Sequence, residues 1–248
     1  MKKILITGCL LCSISLSAQE ARDAFLDFTP KKEKYQYTFS YDWRVMAGYV
    51  QDWQHSPTTT YPDTYLHGAS VGATVDFNLP YNLSIQTGLV YALTYGVTNQ
   101  HWRSVSTEAT QVEILKHKVM KHSLDIPIHL YYRQKLWREL ALVFYGGPKL
   151  QAGIWQQDNI EEHLTPATLN WLKTNNIQCE PYNKYKTELL PFNLQISLGG
   201  GIEWGPYRLQ AGYDFGLLNL VRNYPAADSA YKAYMREWSW NVIFAYRF

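Results

Sequence analysis

Residues 238–248, WSWNVIFAYRF, alternate large apolar side chains with small or polar ones. One set of alternate positions consists of Trp238, Trp240, Val242, Phe244, Tyr246 and Phe248. The positions between them are Ser239, Asn241, Ile243, Ala245 and Arg247. Successive side chains of a β-strand point to opposite faces, so this period of two predicts a strand with one aromatic, apolar face.

Seven earlier segments repeat the alternation, and they are 35–49, 65–79, 83–97, 122–132, 140–154, 192–204 and 207–217. The eight apolar faces contain no Asp, Glu, Lys or Arg, although about ten of their 57 positions would be charged at the chain's overall 18%. An Arg or Lys that faces lipid at mid-bilayer costs roughly 2–4 kcal/mol, so such exclusion predicts contact with lipid. A soluble β-sandwich also alternates. The aromatic ends of these faces and an export signal favour the membrane.

The connections between the segments differ in length in a regular order. Short turns are predicted at 79–82, 134–139 and 205–206, and long polar loops at 51–64, 98–121, 156–186 and 221–237. Short periplasmic turns and long extracellular loops are typical of outer-membrane barrels. We therefore predict an all-β fold, an eight-stranded antiparallel up-and-down transmembrane β-barrel in the outer membrane. Aromatic girdles are expected at both interfaces, Tyr49 and Tyr65 among the outer residues and Trp204 and Tyr207 among the periplasmic ones.

The first residues predict export. Lys2 and Lys3 precede an apolar run over 4–16, and small residues follow, which is the pattern of a cleaved signal peptide. We predict a signal peptide over 1–18, a polar periplasmic leader over 19–34 and the barrel over 35–248. Ile6-Thr7-Gly8-Cys9 also has the letters of a lipoprotein cleavage box, but its apolar run continues past the cysteine. Removal of the signal leaves Cys179 alone, so no intramolecular disulfide is expected.

Charged residues do occur on the faces opposite the apolar ones. An eight-stranded barrel is just wide enough for side chains to fill its interior. We expect these charges to form an ion network that plugs the lumen. The predicted members are Asp42, Arg44, Asp76, Asp125, Arg133, Lys149, Glu203, Arg208, Asp214 and Arg247.

Several motifs resemble the PorT-like outer-membrane β-barrel family of the Bacteroidetes type. They are 124–128 (LDIPI), 145–148 (YGGP) and 212–219 (GYDFGLLN). The chain's end is similar to the aromatic signal that barrel-assembly machinery recognises, which would comprise Trp240, Phe244, Tyr246 and Phe248. The resemblance implies contact with that machinery and with periplasmic chaperones. Some members of the family are implicated in protein secretion and gliding, and the family implies no catalytic residues.

Residues for catalysis, for a cofactor or for a metal are not predicted. His122 and Ser123 are adjacent on one strand and therefore point to opposite faces, while Asp125 and His129 are roughly 13 Å apart along it. An acyl hydrolase needs its nucleophile and base within hydrogen-bond reach. The sequence Glu161-Glu162-His163 is expected to be a solvated loop. A net charge of +2 without a basic block gives no indication of nucleic acid.

Three functions remain open at this point. The first is a non-enzymatic barrel with a filled lumen that acts structurally, or through its extracellular loops as a surface- or secretion-associated interaction protein. The second is a small channel or transporter, and the third is a lipid-modifying enzyme. The expected partners are the lipid bilayer, lipopolysaccharide and a surface or secretion-system protein. A short helix is predicted in the third loop, because Thr165-Pro166 is a favourable helix start.

Overall fold

The computed structural model describes residues 39–56, 63–103, 112–161, 174, 182–222 and 234–248. Its strands are β1 (Ser40–His55), β2 (Thr64–Asn78), β3 (Leu83–Arg103), β4 (Val112–Trp137), β5 (Leu140–Glu161), β6 (Tyr182–Asn183), β7 (Phe192–Trp204), β8 (Tyr207–Gly216) and β9 (Arg236–Arg247). A four-residue helix, α1 (Lys184–Thr187), follows β6. Within these ranges no helix has the length and apolar character needed to cross a bilayer.

Eight of the strands form a closed antiparallel barrel. Each strand pairs with the next along the chain, β5 pairs directly with β7, and β1 pairs with β9 to close the ring. The closing seam runs from Arg44 opposite Arg247 to His55 opposite Arg236. Because a closed barrel leaves no edge strand, its backbone donors and acceptors are paired within the ring. The two-residue strand β6 lies outside the ring, paired only to the end of β5. The predicted eight-stranded fold is confirmed.

The two faces of the strands are sorted as the alternation predicts. On β1, Arg44 and Asp52 are buried inside the barrel, whereas Tyr41 and Trp43 on the alternate positions are more than half exposed. The same holds on β9, where Ser239 is buried and the outward side chains are partly or largely exposed. Polar residues inside and apolar residues outside is the reverse of a soluble β-sandwich.

Tight turns connect the strands at one end of the barrel, which we call the short-turn end. Tyr81 and Asn82 both have positive φ, 63° and 60°, as a type I′ hairpin turn requires. The turn predicted at 134–139 is shorter than expected, because β4 continues to Trp137 and leaves only Arg138 and Glu139 to turn. Gly205, with φ 56°, makes the third turn with Pro206.

At the other end, which we call the long-loop end, the strands extend further than predicted. The proposed loops over 98–121 and 156–186 are partly strand, because β3 runs to Arg103, β4 begins at Val112 and β5 ends at Glu161. Backbone pairing continues through these extensions, for example between Gln100 and Leu115. Beyond the bilayer no lipid selects for apolar faces, so the alternation that indicates a strand is weaker there.

A bulge in β5 changes which residues face inward. The pairing with β4 shifts register between His122 and Ser123, opposite Trp155 and Gly153. Ile154 and Trp155 are both about half exposed, and Gln156 is buried inside the barrel. An extra residue of this kind reverses the facing of the strand beyond it.

Several predictions lie outside the described residues. They are the signal peptide over 1–18, the leader over 19–34, the start of the first strand at Tyr35, the helix start at Thr165-Pro166 and the thiol of Cys179.

Candidate functional site

The inward charged side chains form three clusters along the barrel axis. The lower cluster, at the short-turn end, consists of Arg44, Asp76, Arg133, Glu203 and Arg208. The middle cluster consists of Asp125, Lys149 and Asp214. The upper cluster, at the long-loop end, consists of Asp52, Lys121 and Glu237.

Two arginines and two carboxylates form the centre of the lower cluster. Arg44 Nε lies 2.6 Å from Asp76 Oδ2, and its Nη2 lies 3.1 Å from Glu203 Oε2. Arg208 Nη2 lies 3.1 Å from the same Asp76 oxygen and 2.8 Å from the same Glu203 oxygen. All four side chains are at most 5% exposed. Each charge therefore has two opposite partners, which offsets the loss of hydration.

A ring and two amides support this centre. The Tyr131 hydroxyl donates to Gln86 Oε1 at 3.0 Å or to Gln210 Oε1 at 3.1 Å. Gln86 in turn donates to Asp76 Oδ1 at 2.6 Å. The guanidinium of Arg208 lies 4.6 Å from the centre of the Tyr131 ring, within range of a cation–π contact. Together these groups fill the lumen at this level.

Arg133, Arg247 and Asp42 lie at the rim of the short-turn end. Arg133 Nε is 3.1 Å from Glu203 Oε1, and the Arg133 side chain is 23% exposed. Arg247 Nη1 is 3.8 Å from Asp42 Oδ2 and 3.9 Å from Glu203 Oε1. Arg247 and Asp42 are 30% and 26% exposed, so water screens this pair. The structure thus divides the ten predicted residues between the lower cluster, its rim and the middle cluster.

Lys149 joins the two carboxylates of the middle cluster. Its Nζ lies 2.5 Å from Asp214 Oδ2 and 3.4 Å from Asp125 Oδ2. Asp214 Oδ2 also accepts hydrogen bonds from Ser239 at 3.1 Å and Asn241 at 3.2 Å. A cavity of about 50 Å³ adjoins this cluster inside the barrel.

The upper cluster contains none of the residues predicted from the sequence. Lys121 Nζ lies 3.0 Å from Asp52 Oδ2 and also contacts Glu237 Oε1, and all three side chains are at most 3% exposed. Asp52 accepts a further hydrogen bond from Thr94. Glu237 accepts one from Gln54 at 2.8 Å.

These residues were assigned to loops because the apolar faces end before them. The signal that could have identified them is their phase. Asp52 continues the inward positions of β1, as Lys121 does for β4 and Glu237 for β9. Following the period past the last lipid-facing residue would have placed all three inside the barrel.

A cap closes the long-loop end above the upper cluster, and it consists of residues 182–191, 217–222 and 234–235. Its buried apolar side chains are Tyr185, Leu189, Leu220, Val221 and Met235. The ring of Tyr185 is so close to Gly153 that a Cβ on that residue would lie 2.2 Å from its Cζ. This burial raises the pKa of the Tyr185 hydroxyl. The uncharged ring of Tyr185 therefore covers the lumen at this end.

Arg222 holds the parts of the cap together. Its guanidinium donates to the carbonyl oxygens of Tyr185 at 2.6 Å, Lys186 at 3.1 Å and Leu189 at 3.0 Å. A bridge between Leu189 and Val221 joins the same two segments. A planar guanidinium suits several carbonyls at once.

The candidate catalytic groups do not meet. His122 points outward and shares a 2.5 Å hydrogen bond with the Tyr91 hydroxyl, whereas Ser123 is buried inside. Asp125 and His129 both face the lumen without a hydrogen bond between them in the described structure. Among the described residues, no three or more His, Cys, Asp or Glu side chains are grouped so that they could hold a metal ion.

The residues of the expected assembly signal lie on the outer face of β9 and just beyond it. Trp240 and Phe244 are 41% and 50% exposed, and Phe248 is 74% exposed. Tyr246 and Phe248 form an edge-to-face pair with ring centres 5.3 Å apart. The backbone N–H of Phe248 donates to the Trp43 carbonyl, which ties the chain's last residue to β1.

Aromatic side chains also cover the outer wall at both ends. At the long-loop end, Trp53 stacks on Tyr65 at 5.7 Å and meets the edge of Trp238 at 4.8 Å. At the short-turn end, Tyr207 contacts Phe244 and Tyr246. Aromatic rings at these two levels are the girdles expected at membrane interfaces.

A family model agrees with this architecture. The family model "Outer membrane protein beta-barrel domain" matches residues 27–222. Among solved structures, Neisserial surface protein A is 10% identical with a TM-score of 0.39, covering 84% of this chain and 99% of its own. Ail of Yersinia pestis is 10% identical with a TM-score of 0.38, covering 84% and 98%.

The N-terminal β-barrel domain of Pseudomonas aeruginosa OprF is 12% identical with a TM-score of 0.25, covering 82% and 97%. No curated protein matches the chain. The family match spans well over half of the sequence, and the closed barrel is apolar outside and polar inside. The chain therefore belongs to the outer membrane protein β-barrel domain family.

Proposed function

We propose that this protein is a non-enzymatic barrel that acts structurally or through its extracellular loops, as a surface- or secretion-associated interaction protein. One observation carries the proposal: the barrel interior is filled by three ion-paired clusters and covered by the cap. A filled interior leaves little room for a solute to pass. Recognition then falls to the surface that the barrel presents outside the membrane.

The lengths of the connections support the long-loop end as that surface. The turns at the short-turn end contain only a few residues, whereas 56–63, 104–111, 162–181 and 217–235 connect the long strands at the other end. Binding residues in proteins concentrate on loops held by a rigid scaffold. The connection between β5 and β7 is the longest, and the cap contacts hold its residues 182–191 against the barrel.

The resemblance to PorT-like barrels supports a partner in a secretion or surface complex. In this proposal residues 1–18 are removed as a signal peptide and 19–34 form a periplasmic leader. Periplasmic chaperones and the barrel-assembly machinery would then insert the chain beside lipopolysaccharide. The aromatic residues at the end of β9 are the proposed assembly signal.

Replacing residues 162–179 with a short Gly–Ser linker tests the interaction hypothesis. The matched control replaces 104–111, the β3–β4 connection, in the same way. Both variants should keep the heat-modifiable barrel, since neither removes a residue of the three clusters. The first should lose chemical crosslinks to its partner and fail to rescue a null strain, whereas the control should rescue it. Full rescue of the null strain by this variant would reject the role of that loop.

A small channel is the second candidate, because a cavity of about 50 Å³ lies in the lumen between the lower and upper clusters. Recordings of single molecules in planar bilayers test it. The filled lumen predicts no stable openings for the natural protein, while Tyr185→Ala with Lys121→Ala should increase brief ones. The channel would instead be favoured if the natural protein shows stable openings and the Lys121→Ala variant shows openings of different ion selectivity.

A further inference from the structure

The cavity in the middle of the lumen has one apolar and one polar wall. Strands β1, β3 and β9 supply the apolar wall, which includes Met46, Val90 and Ile243. Asp125, His129, Lys149, Asp214 and Asn241 form the polar wall. Since one water needs roughly 10–15 Å³ of such volume, about 50 Å³ accommodates roughly three or four water-sized groups.

Several buried acceptors on the polar wall have no hydrogen-bond partner among the described residues. They are Asp125 Oδ1, Asn241 Oδ1 and one ring nitrogen of His129, since neutral imidazole has one acceptor and one donor nitrogen and neither has a partner here. The three residues are each more than nine-tenths buried. An unpaired buried acceptor costs about 1–3 kcal/mol. The positions therefore indicate a ligand that binds to acceptors.

The charge of the middle cluster indicates the sign of that ligand. Lys149 is its one cation, and it is shared by two carboxylates, Asp125 and Asp214. Lys149 and two further hydrogen bonds all lie on Asp214 Oδ2, while Lys149 is 3.4 Å from Asp125 Oδ2. One formal negative charge is left over, and Asp125, which lines the cavity, has an oxygen without a hydrogen-bond partner. A buried charge without a partner is strongly unfavourable.

The other two clusters differ in this respect. The upper cluster also has two carboxylates for one lysine, but the carboxylates of Asp52 and Glu237 have hydrogen-bond partners. The extra positive charge of the lower cluster belongs to Arg133, which reaches water at the rim. Only the middle cluster combines an excess charge with unpartnered acceptors and adjoining space, within the part of the chain described.

We propose that this cavity binds a small monovalent cation, such as Na⁺ or K⁺, together with water. Asp125 Oδ1 and Asn241 Oδ1 are the direct oxygen ligands, because hard cations prefer oxygen. Lys149 remains on the other carboxylate oxygen of Asp125, so the cation and the ammonium are on opposite sides of one carboxylate. The volume leaves room for the ion with two or three waters.

Thermal unfolding of the full protein in detergent, followed by heat-modifiable mobility, tests the proposal. Sodium, potassium and choline chloride are compared at equal ionic strength. Choline is too large for the cavity, so the midpoint should be higher in one of the metal salts. At about ten times the dissociation constant, the rise would be roughly 3–6 °C.

Two variants assign the effect. Asp125→Asn removes the excess charge with the same shape, and its midpoint should become independent of the cation. Asp42→Asn removes a carboxylate at the rim and should keep the full salt difference. Crystals soaked in Tl⁺ should show an anomalous peak between Asp125 and Asn241 that is missing in Asp125→Asn.

Two results would overturn the proposal. Equal midpoints of the natural protein in all three salts would mean that a proton on Asp125 neutralises the cluster. A salt difference that persists in Asp125→Asn would mean that the cation binds elsewhere. The folded band of each variant in choline chloride establishes independently that the variant has formed its barrel.

Discussion

The contribution of a charged side chain in the lumen to the stability of the barrel depends on how many partners it has and on how exposed it is to water. Arg208 contacts Asp76, Glu203 and the face of Tyr131 while almost completely buried. Arg247 faces the same lumen but is 30% exposed and lies almost 4 Å from its carboxylate partners. The two arginines therefore have the same charge and very different energetic roles.

Arg208→Met should destabilise the barrel strongly. It leaves Asp76 and Glu203 with Arg44 as their main buried cation, and removing one partner of a buried ion pair costs about 3–5 kcal/mol. Arg247→Met is the matched control, with an expected loss of no more than about 1 kcal/mol. Urea unfolding of both variants in detergent measures the difference. Equal unfolding midpoints would show that the lower cluster does not stabilise the fold.

Phe248→Ala should impair assembly more than stability. Phe248 is 74% exposed, so the truncated side chain leaves no cavity in the folded barrel. We expect several-fold less folded protein in the outer membrane while export to the periplasm is unchanged. Phe39→Ala, which removes another exposed ring near the same end, is the control. If both variants give the natural yield, Phe248 is not part of a recognition signal.

At the scale of secondary structure, the cap is held mainly by polar contacts to the backbone. Arg222 binds three carbonyls of the segment around α1, a helix too short to be stable alone. Tyr185 from that helix lies over the lumen and against Gly153. The position of the Tyr185 ring thus depends on Arg222, which belongs to the connection between β8 and β9.

Arg222→Ala should loosen the cap without opening the barrel. Three hydrogen bonds at about 0.5–1.5 kcal/mol each are lost, so amide exchange at Leu189 and Leu190 should accelerate by about tenfold or more. Arg222→Lys retains the charge but not the planar donors, so its amide exchange rate should lie between those of the natural protein and Arg222→Ala. Exchange in β2 serves as the internal reference. Unchanged exchange in the cap would mean that the apolar contacts of Leu189 are sufficient.

The elements were predictable from sequence where the bilayer imposes a pattern. On β1 and β9 lipid selects apolar residues at every second position, so strand, register and facing follow together. The apolar face read from the sequence ends at Tyr49 on β1 and starts at Trp238 on β9, so Asp52, Lys121 and Glu237 fall within the predicted loops. The bulge that buries Gln156 was also unpredictable, because one inserted residue is set by pairing with β4.

Pairing between particular charges was equally hidden. The alternation placed Arg44 and Glu203 on inward faces, but they are 159 residues apart and meet across the lumen. Such a contact depends on the diameter and stagger of the closed barrel. Partners on adjacent strands, such as Glu203 and Arg208, are easier to predict from the sequence, because a two-residue turn fixes them opposite each other.

The whole molecule depends on closing the ring between β1 and β9. Gly48 faces the lumen at this seam, and a Cβ there would lie 2.3 Å from the Val242 carbonyl oxygen and 2.8 Å from Ile243 Cα. Both atoms belong to the backbone, so an added side chain would force the strands apart. A polar lumen with buried ion pairs can exist only if this seam keeps water and lipid out.

Gly48→Ala should therefore weaken the closed barrel as a whole. The natural protein should migrate faster unheated than heated on semi-native gels, as a compact barrel does. Overpacking costs about 1–3 kcal/mol, so the temperature at which the fast band disappears should fall by roughly 3–10 °C. Gly200→Ala is the matched control, because its nearest neighbour, the Val143 carbonyl oxygen, is 3.2 Å away. If both alanine variants lose the fast band at the same temperature as the natural protein, the seam can accommodate the added methyl group. If Gly48→Ala alone melts early, the close approach of β1 and β9 limits the stability of the ring.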